Sequence, residues 1–329
     1  MISLTENQIT ANWDYNKPLV SIRCTTYRQE SFIGQCLDGF LMQKTNFPFE
    51  IIVHDDASPD KTAEIIRQYE IKYPNIIKPI YEKENQYSKR DGSMDKIISK
   101  HLSGKYLATC EGDDYWCNEG KLQQQFDFLE MHPEYSVVGH LTKSVDLNGK
   151  EVVSFIDTVP GEYSYKNHEE WHLFSHWSSI FCINFYNFCT SEEMDQYYAC
   201  KCPGDRKLIL LLMKLGKAYV LPNTFSVYRF QSGQSSFTNS SEYLTTDNLW
   251  KEGFYLSQYA NSLGFDFKYK DRQNKCVAFA LLAYLRGKDK KSYITIKKMQ
   301  GSSFLTDFVI SLPILITHYS RKIRHKNEQ

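Results

Sequence analysis

The sequence predicts an α/β fold, a mainly parallel β-sheet sandwiched by helices, with a helical extension at its C-terminal end. Three observations predict it. In the first third of the chain, short aliphatic runs alternate with stretches of helical period. Acid-rich polar turns follow those runs. Past a Ser/Gln/Gly/Thr/Asn-rich stretch at 231–241, the pattern turns helical and stays so.

Leu19-Val20-Ser21-Ile22-Arg23-Cys24 is apolar enough for a strand buried on both faces, and Phe32, Ile33, Cys36, Leu37, Phe40 and Leu41 then recur at helical spacing. Glu50–His54 reads as the second strand. Ser58-Pro59 supplies a cap and a first-turn proline for a helix carrying Ile65, Ile66 and Tyr69. Ile76-Ile77-Lys78-Pro79-Ile80 is the third strand, and its proline assigns it to an edge. A helix around Met94–Leu102 ends near Gly104, and Lys105–Cys110 is the fourth strand. Leu122, Phe126 and Leu129 line a helix that stops before Pro133. Residues 134–185 read as mixed strands and loops, with Val137-Val138 and Glu151–Ile156 the clearest strands. Gly204-Asp205 opens an apolar helix over Leu208–Leu215, and Tyr219–Leu221 and Ser226–Phe230 read as two short strands. This divides the chain into an N-terminal extension (1–17), an α/β domain (18–235) and a helical region (236–329).

Composition narrows the classes. With Lys+Arg and Asp+Glu both 39 in 329 residues, the chain lacks the basic excess of a general nucleic-acid binder. Nine cysteines, an odd count, and a polar Met1–Asn16 without an apolar signal segment predict reduced thiols and a cytoplasmic location. Cys200-Lys201-Cys202 lacks the two-residue spacing of zinc knuckles. His168-Glu169-Glu170-Trp171-His172 matches the zinc-protease H-E-x-x-H pattern, with His176 continuing the spacing. The parallel α/β order does not suit a zincin helix, and the histidines are read as ordinary helix residues. Neither dinucleotide nor P-loop glycine motifs occur.

The chemistry-bearing residues sit where strands end. Thr25-Thr26-Tyr27, Asp55-Asp56-Ala57-Ser58 and Glu111-Gly112-Asp113-Asp114 follow the first, second and fourth strands. In parallel α/β sheets ligands bind outside the carboxyl ends of the strands, so three such turns converge on one crevice. Three carboxylates within four residues, beside a glycine that permits a sharp turn, suit a hard divalent cation such as Mg²⁺ or Mn²⁺; the other reading is a solvated turn that caps the helix following Asn118. Lys89, Arg90 and Arg229 are available to a diphosphate.

These segments, over about residues 19–235, resemble the inverting family-two glycosyltransferases of the GT-A fold, in a branch of bacterial surface-polysaccharide enzymes. The resemblance is carried by Val20–Tyr27, Ile51–Thr62, Glu111–Trp116, and Gly204-Asp205 followed by Ser226–Arg229. It implies a hexosyltransferase with a nucleotide-sugar donor, first of all a UDP-sugar. Thr25 and Tyr27 would line the base pocket, and Asp55 and Asp56 would meet base and ribose. Asp113 and Asp114 would hold Mn²⁺ or Mg²⁺, and Asp205 would act as general base. The acceptor would be a glycan or lipid-linked saccharide. Arg206 stands where relatives often carry an aromatic or acidic residue, and Gln231 where many have His. Two other functions compete: a Mg²⁺-dependent nucleotidyl- or phosphotransferase, and a degenerate, non-catalytic glycan-binding scaffold.

Nothing in the sequence reaches 18 consecutive apolar residues, so no membrane span is expected. Residues 304–316 are apolar and Arg321–Lys326 basic, which leaves two readings open: a helix lying on the cytoplasmic face of the inner membrane, or a packing helix with a solvated tail.

Overall fold

The computed structural model describes residues 2–14, 17–153, 156–202, 204–230, 245–267 and 269–327, with side chains as far as His318. Gln231 and the surrounding polar stretch lie outside the described residues. The chain divides into two compact units. The larger comprises residues 1–168, 172–199 and 204–238, and the smaller 169–171, 200–203 and 239–329.

Among the described residues of the larger unit, nine strands form one mixed sheet. They are β1 (Val20–Thr26), β2 (Phe49–Asp55), β3 (Ile77–Tyr81), β4 (Tyr106–Glu111), β5 (Tyr115–Trp116), β6 (Tyr135–Val145), β7 (Gly161–Tyr163), β8 (Phe181–Ile183) and β9 (Lys217–Arg229). The order β3-β2-β1-β4 is parallel throughout, as the alternating pattern predicts. The second half, β8-β6-β9-β5, mixes directions: β8 runs antiparallel to β4 and β6, while β6 and β9 are parallel. Pro79 does fall on the edge strand β3, where a missing N–H is tolerated.

Helices α1 (Glu6–Thr10), α2 (Ile33–Leu41), α3 (Thr62–Lys72), α4 (Ser93–Ser99), α5 (Lys121–Met131), α6 (Tyr165–Glu169), α7 (Ser191–Ala199) and α8 (Gly204–Leu215) connect the strands. The core packs Val20, Ile22 and Cys24 of β1 against Cys36, Leu37 and Phe40 of α2, and Ile51 and Val53 of β2 against Ile66 and Tyr69 of α3. Each fully buried aliphatic or aromatic side chain of this kind is worth about 1.5–3 kcal/mol. That burial holds rigid the strand ends on which the polar turns stand.

Three sequence expectations change. Helix α3 begins at Thr62, not at Ser58-Pro59. Ser58 Oγ accepts from Arg28 N at 2.9 Å and Asp60 Oδ1 from Thr62 N at 3.1 Å, so this polar stretch ties the turn after β2 to the turn after β1. Of the expected strand Glu151–Ile156, the described residues hold one bridge, Val145 to Glu151. The runs Tyr219–Leu221 and Ser226–Arg229 are parts of one strand, β9, joined across an irregularity opposite His140–Leu141, and Phe230 lies just past its end.

The smaller unit is helical: α9 (Thr246–Ser262), α10 (Lys270–Leu285), α11 (Lys290–Gln300) and α12 (Phe304–Asn327). Trp250, Val277, Leu281, Tyr293 and Ile296 form its core. Asp289 caps α11 by accepting from Ser292 N, and Gly301 ends it at φ 68°, a conformation that favours glycine.

Candidate active site

Strand register brings the three turns side by side. Thr25 lies opposite His54 on β2 and opposite Glu111 on β4, and Thr26 lies opposite Asp55. The bonds Gly112 N to Thr25 O (2.9 Å) and Asp56 N to Thr26 O (3.0 Å) then stitch the turns to the end of β1. The convergence inferred from strand order is therefore real.

At the end of β4, ligand atoms of Glu111, Asp113 and Asp114 lie within 4.8 Å of one another. Asp113 and Asp114 are buried, whereas Glu111 is open to solvent at the rim. Burial, then the charges of Asp113 and Glu111, push the Asp114 carboxyl well above the usual carboxylate range. Desolvation, then the charges of Asp113 and Asp205, raise the Glu111 carboxyl to about 8. Asp114 Oδ1 accepts from Arg229 N at 3.0 Å, while its buried Oδ2 has no hydrogen-bond partner. That orphaned oxygen lies 3.6 Å from Nδ1 of His176, whose pKa burial lowers to about 4. A neutral imidazole cannot compensate the carboxylate, whereas a hard cation would.

Arg229 fastens this turn. Its guanidinium donates to Asp113 O and to Gln35 Oε1, and it stacks 4.5 Å from the Tyr115 ring and 5.0 Å from Phe32. Asp205 stands in the first turn of α8, where Oδ1 accepts from Arg206 N at 2.8 Å, and its charge reaches Glu111. Thus Thr25, Glu111, Asp113, Asp114, Asp205 and Arg229 share one neighbourhood.

Asp55 and Asp56 differ in availability. Both Asp56 oxygens accept backbone bonds, from Gln86 N at 2.6 Å and Tyr87 N at 3.0 Å, which fixes the turn carrying Lys89 and Arg90. Asp55 Oδ1 is buried without a partner, and burial raises its pKa. A cavity of about 680 Å³ opens beside it, lined also by Ser58, Lys61, Arg67, Tyr81 and Glu82. Tyr27, just past the end of β1, is 39% exposed, with the Arg28 guanidinium 5.9 Å from its ring centre. Lys89 pairs with Glu84 at 2.5 Å on the surface, and Arg90 is an exposed residue at φ 52°. The cations acting on the acidic turn are instead Arg23 and Arg229.

The zinc patterns dissolve. Helix α6 ends at Glu169 and Trp171 adopts φ 72°, so His168 and His172 do not share a helical face; this also corrects the reading of one continuous helix. His168 Nε2 lies 3.1 Å from Arg206 O, and Cys202 Sγ donates to Glu252 O at 3.2 Å.

Sequence reasoning passed over Arg23 and Gln35, and it read His176 only as an ordinary helix residue. Arg23 is buried on β1, ion-paired with Asp95 and set over Trp177 at 5.5 Å. Its signal was visible: a charge inside an otherwise apolar central strand.

A four-stranded parallel block with an acidic turn at its carboxyl end, continued by a mixed half-sheet, defines a GT-A-type sugar-nucleotide fold. The model of glycosyl transferase family 2 matches residues 21–187, half of the chain, and the chain belongs to that family. An uncharacterized protein of Mycobacterium tuberculosis is 39% identical over 136 residues, 41% of this chain and 38% of that protein. TuaG, a putative teichuronic acid biosynthesis glycosyltransferase of Bacillus subtilis, is 32% identical over 136 residues, 41% of this chain and 50% of its own. The matched stretch thus spans half or less of these relatives. The S. aureus TarS 1–349 structure in complex with UDP-GlcNAc shares the fold: TM-score 0.53, 18% identity, 87% of this chain and 93% of that one.

Proposed function

We propose that the protein is an inverting glycosyltransferase that moves a sugar from a nucleoside-diphosphate donor, a UDP-sugar, to a hydroxyl of a glycan or lipid-linked saccharide during surface-polysaccharide synthesis. The observation that carries this reading is the Glu111–Asp113–Asp114 cluster facing Asp205 at the carboxyl ends of the parallel strands. TuaG's description and the UDP-GlcNAc held by TarS support the polymer class and the donor. Family membership does not favour the nucleotidyl- or phosphotransferase and the non-catalytic scaffold. The place of work is the cytoplasm, with peripheral association at the inner face of the membrane.

Asp113 and Asp114 fit a divalent metal, Mn²⁺ or Mg²⁺, because their oxygens are hard, converge, and include a buried one lacking a partner. Such an ion supplies Lewis-acid neutralisation of the departing diphosphate. Glu111 borders the same space. The exposed Tyr27 ring offers a face for the base, with Thr25 at its edge and the unpartnered Asp55 oxygen as a polar contact. Asp56 acts on the donor side by fixing the backbone of the turn that carries Lys89 and Arg90, the two surface cations available to a diphosphate. Arg229 holds the metal-binding turn in shape. Asp205 takes the acceptor's proton as that oxygen attacks the anomeric carbon, and a single displacement inverts the configuration.

A panel of nucleotide sugars with Mn²⁺ or Mg²⁺, read by donor hydrolysis and thermal shift, tests the donor. Stabilisation by UDP plus metal beyond metal alone is expected, and an equal response to every nucleotide overturns the reading. Asp205→Asn preserves a helix-entry residue, so fold and UDP affinity should persist. Turnover should fall by about a hundred- to ten-thousand-fold.

A further inference from the structure

Over Phe304–Ile316, helix α12 turns six large apolar side chains outward and buries two polar ones. Its polar residues Asp307 and Ser311 are buried. Asp307 Oδ2 accepts from Tyr293 Oη at 2.8 Å, and Ser311 Oγ donates to Asp307 O at 2.5 Å. Its apolar residues face outward: Phe304, Leu305, Phe308, Val309, Leu312 and Ile316 are all exposed, Leu305 by 71% and Val309 by 63%. They recur at spacings of three and four, which makes one continuous stripe along the helix. A contiguous apolar face of this kind marks an interaction surface.

We propose that this stripe seats α12 flat on an anionic lipid bilayer. Charge selects the occupant. The helix runs on from the stripe through Arg321-Lys322-Ile323-Arg324-His325-Lys326, a basic segment suited to acidic headgroups. A lying helix also fits better than an inserted one. No single helix among the described residues is long and apolar enough to cross a membrane. Among the described residues, only the bent pair α11 and α12 meets the length and composition of a broken span. Yet α11 buries Tyr293 and Ile296 in its own helical unit and carries Lys290, Lys291, Lys297 and Lys298. An amphipathic helix with an apolar face and basic residues adsorbs at the headgroup boundary. The inference deepens the proposed reaction, resting on it for purpose by placing the enzyme where lipid-linked acceptors reside; its test reads adsorption alone.

The full chain is sedimented with phosphatidylglycerol-rich vesicles and with pure phosphatidylcholine vesicles. Wild type should bind the first and not the second, and Leu305→Asp/Val309→Asp/Leu312→Asp should weaken binding at least about tenfold. Leu305→Asp alone falls in the first turn, where a carboxylate is tolerated, and guards against a misfolded triple variant. It too should bind anionic vesicles measurably less. No binding by wild type, equal binding to both vesicles, or undiminished binding by the substituted proteins overturns the proposal. So does a dimer that the substitutions dissociate without any vesicle binding, which would make a second copy the occupant. Sugar transfer to a water-soluble acceptor should persist in the variants, so failure of adsorption and failure of the transferase reading are separately visible.

Discussion

Arg229 shows how one side chain can set a site without carrying its chemistry. Its backbone N–H holds Asp114 and its guanidinium fork holds Asp113 O and Gln35 Oε1, so two acidic residues are positioned by one cation. Lysine keeps the charge but not the planar fork. Arg229→Lys should therefore fold, lose about 1–3 kcal/mol of stability in urea unfolding, and bind Mn²⁺ roughly tenfold more weakly by calorimetry. Unchanged Mn²⁺ affinity would show that the turn holds its own shape. The sequence marked Arg229 as a cation near the crevice, but its partners are up to 194 positions away, and no local pattern encodes such contacts. His176 illustrates the same blindness. Read along the chain it continues a helical spacing; in the fold it lies beside Asp114.

At the scale of elements, the strand–turn–helix units were legible because each carries its own period and punctuation. The order β3-β2-β1-β4 and the placement of polar turns at its carboxyl end follow from that alternation. The mixed half of the sheet was less legible, because β8 has three residues and β5 two, too short to show an alternation. The glycine of the acidic turn does stand in a tight turn, closed by Asp114 N donating to Glu111 O at 3.0 Å. Gly112 is absent from the positive-φ positions, so it is not needed for a left-handed turn. It is needed for closeness: a Cβ there would sit 2.4 Å from Gln29 Oε1 and 2.8 Å from Thr26 Oγ1. The Thr26–Gln29 bond, 2.7 Å, occupies that space and braces the end of β1 against the turn. Gly112→Ala should cost about 1–3 kcal/mol, the usual penalty of overpacking. Because Thr26 stands between Thr25 and Tyr27 of the proposed donor site, UDP affinity should fall with it. Thermal melts and UDP titration of the same preparation check both, and a variant as stable as wild type would refute the packing argument.

For the molecule as a whole, the acidic turn couples stability, pH and metal. Glu111 is raised to about 8 and Asp114 is also raised, so the folded protein holds protons that the unfolded chain releases. A raised carboxyl contributes stability that is complete below its unfolded pKa and lost as pH rises through its folded one. Without metal the melting temperature should thus fall between about pH 5 and about pH 7 through these groups. Lys121 acts in the opposite sense. Buried over the Trp116 ring, it is lowered to about 7, and the cost of its charge is relieved only above that value. The carboxylates therefore dominate below neutrality. A divalent ion reverses their sign, because it binds the ionised form and expels the protons. Mn²⁺ should raise the melting temperature little near about pH 5 and by several degrees near about pH 8. Asp114→Asn separates the two effects. Asparagine Oδ1 keeps the bond from Arg229 N, while its amide replaces the orphaned Oδ2 beside the neutral His176. This variant should melt a few degrees higher than wild type without metal at about pH 8 and gain nothing from Mn²⁺. Scanning calorimetry of both proteins across that pH range, with and without Mn²⁺, decides it. A metal-free variant less stable than wild type would mean that burial does not strain the Asp114 carboxylate, and that the turn needs no cation to relieve it.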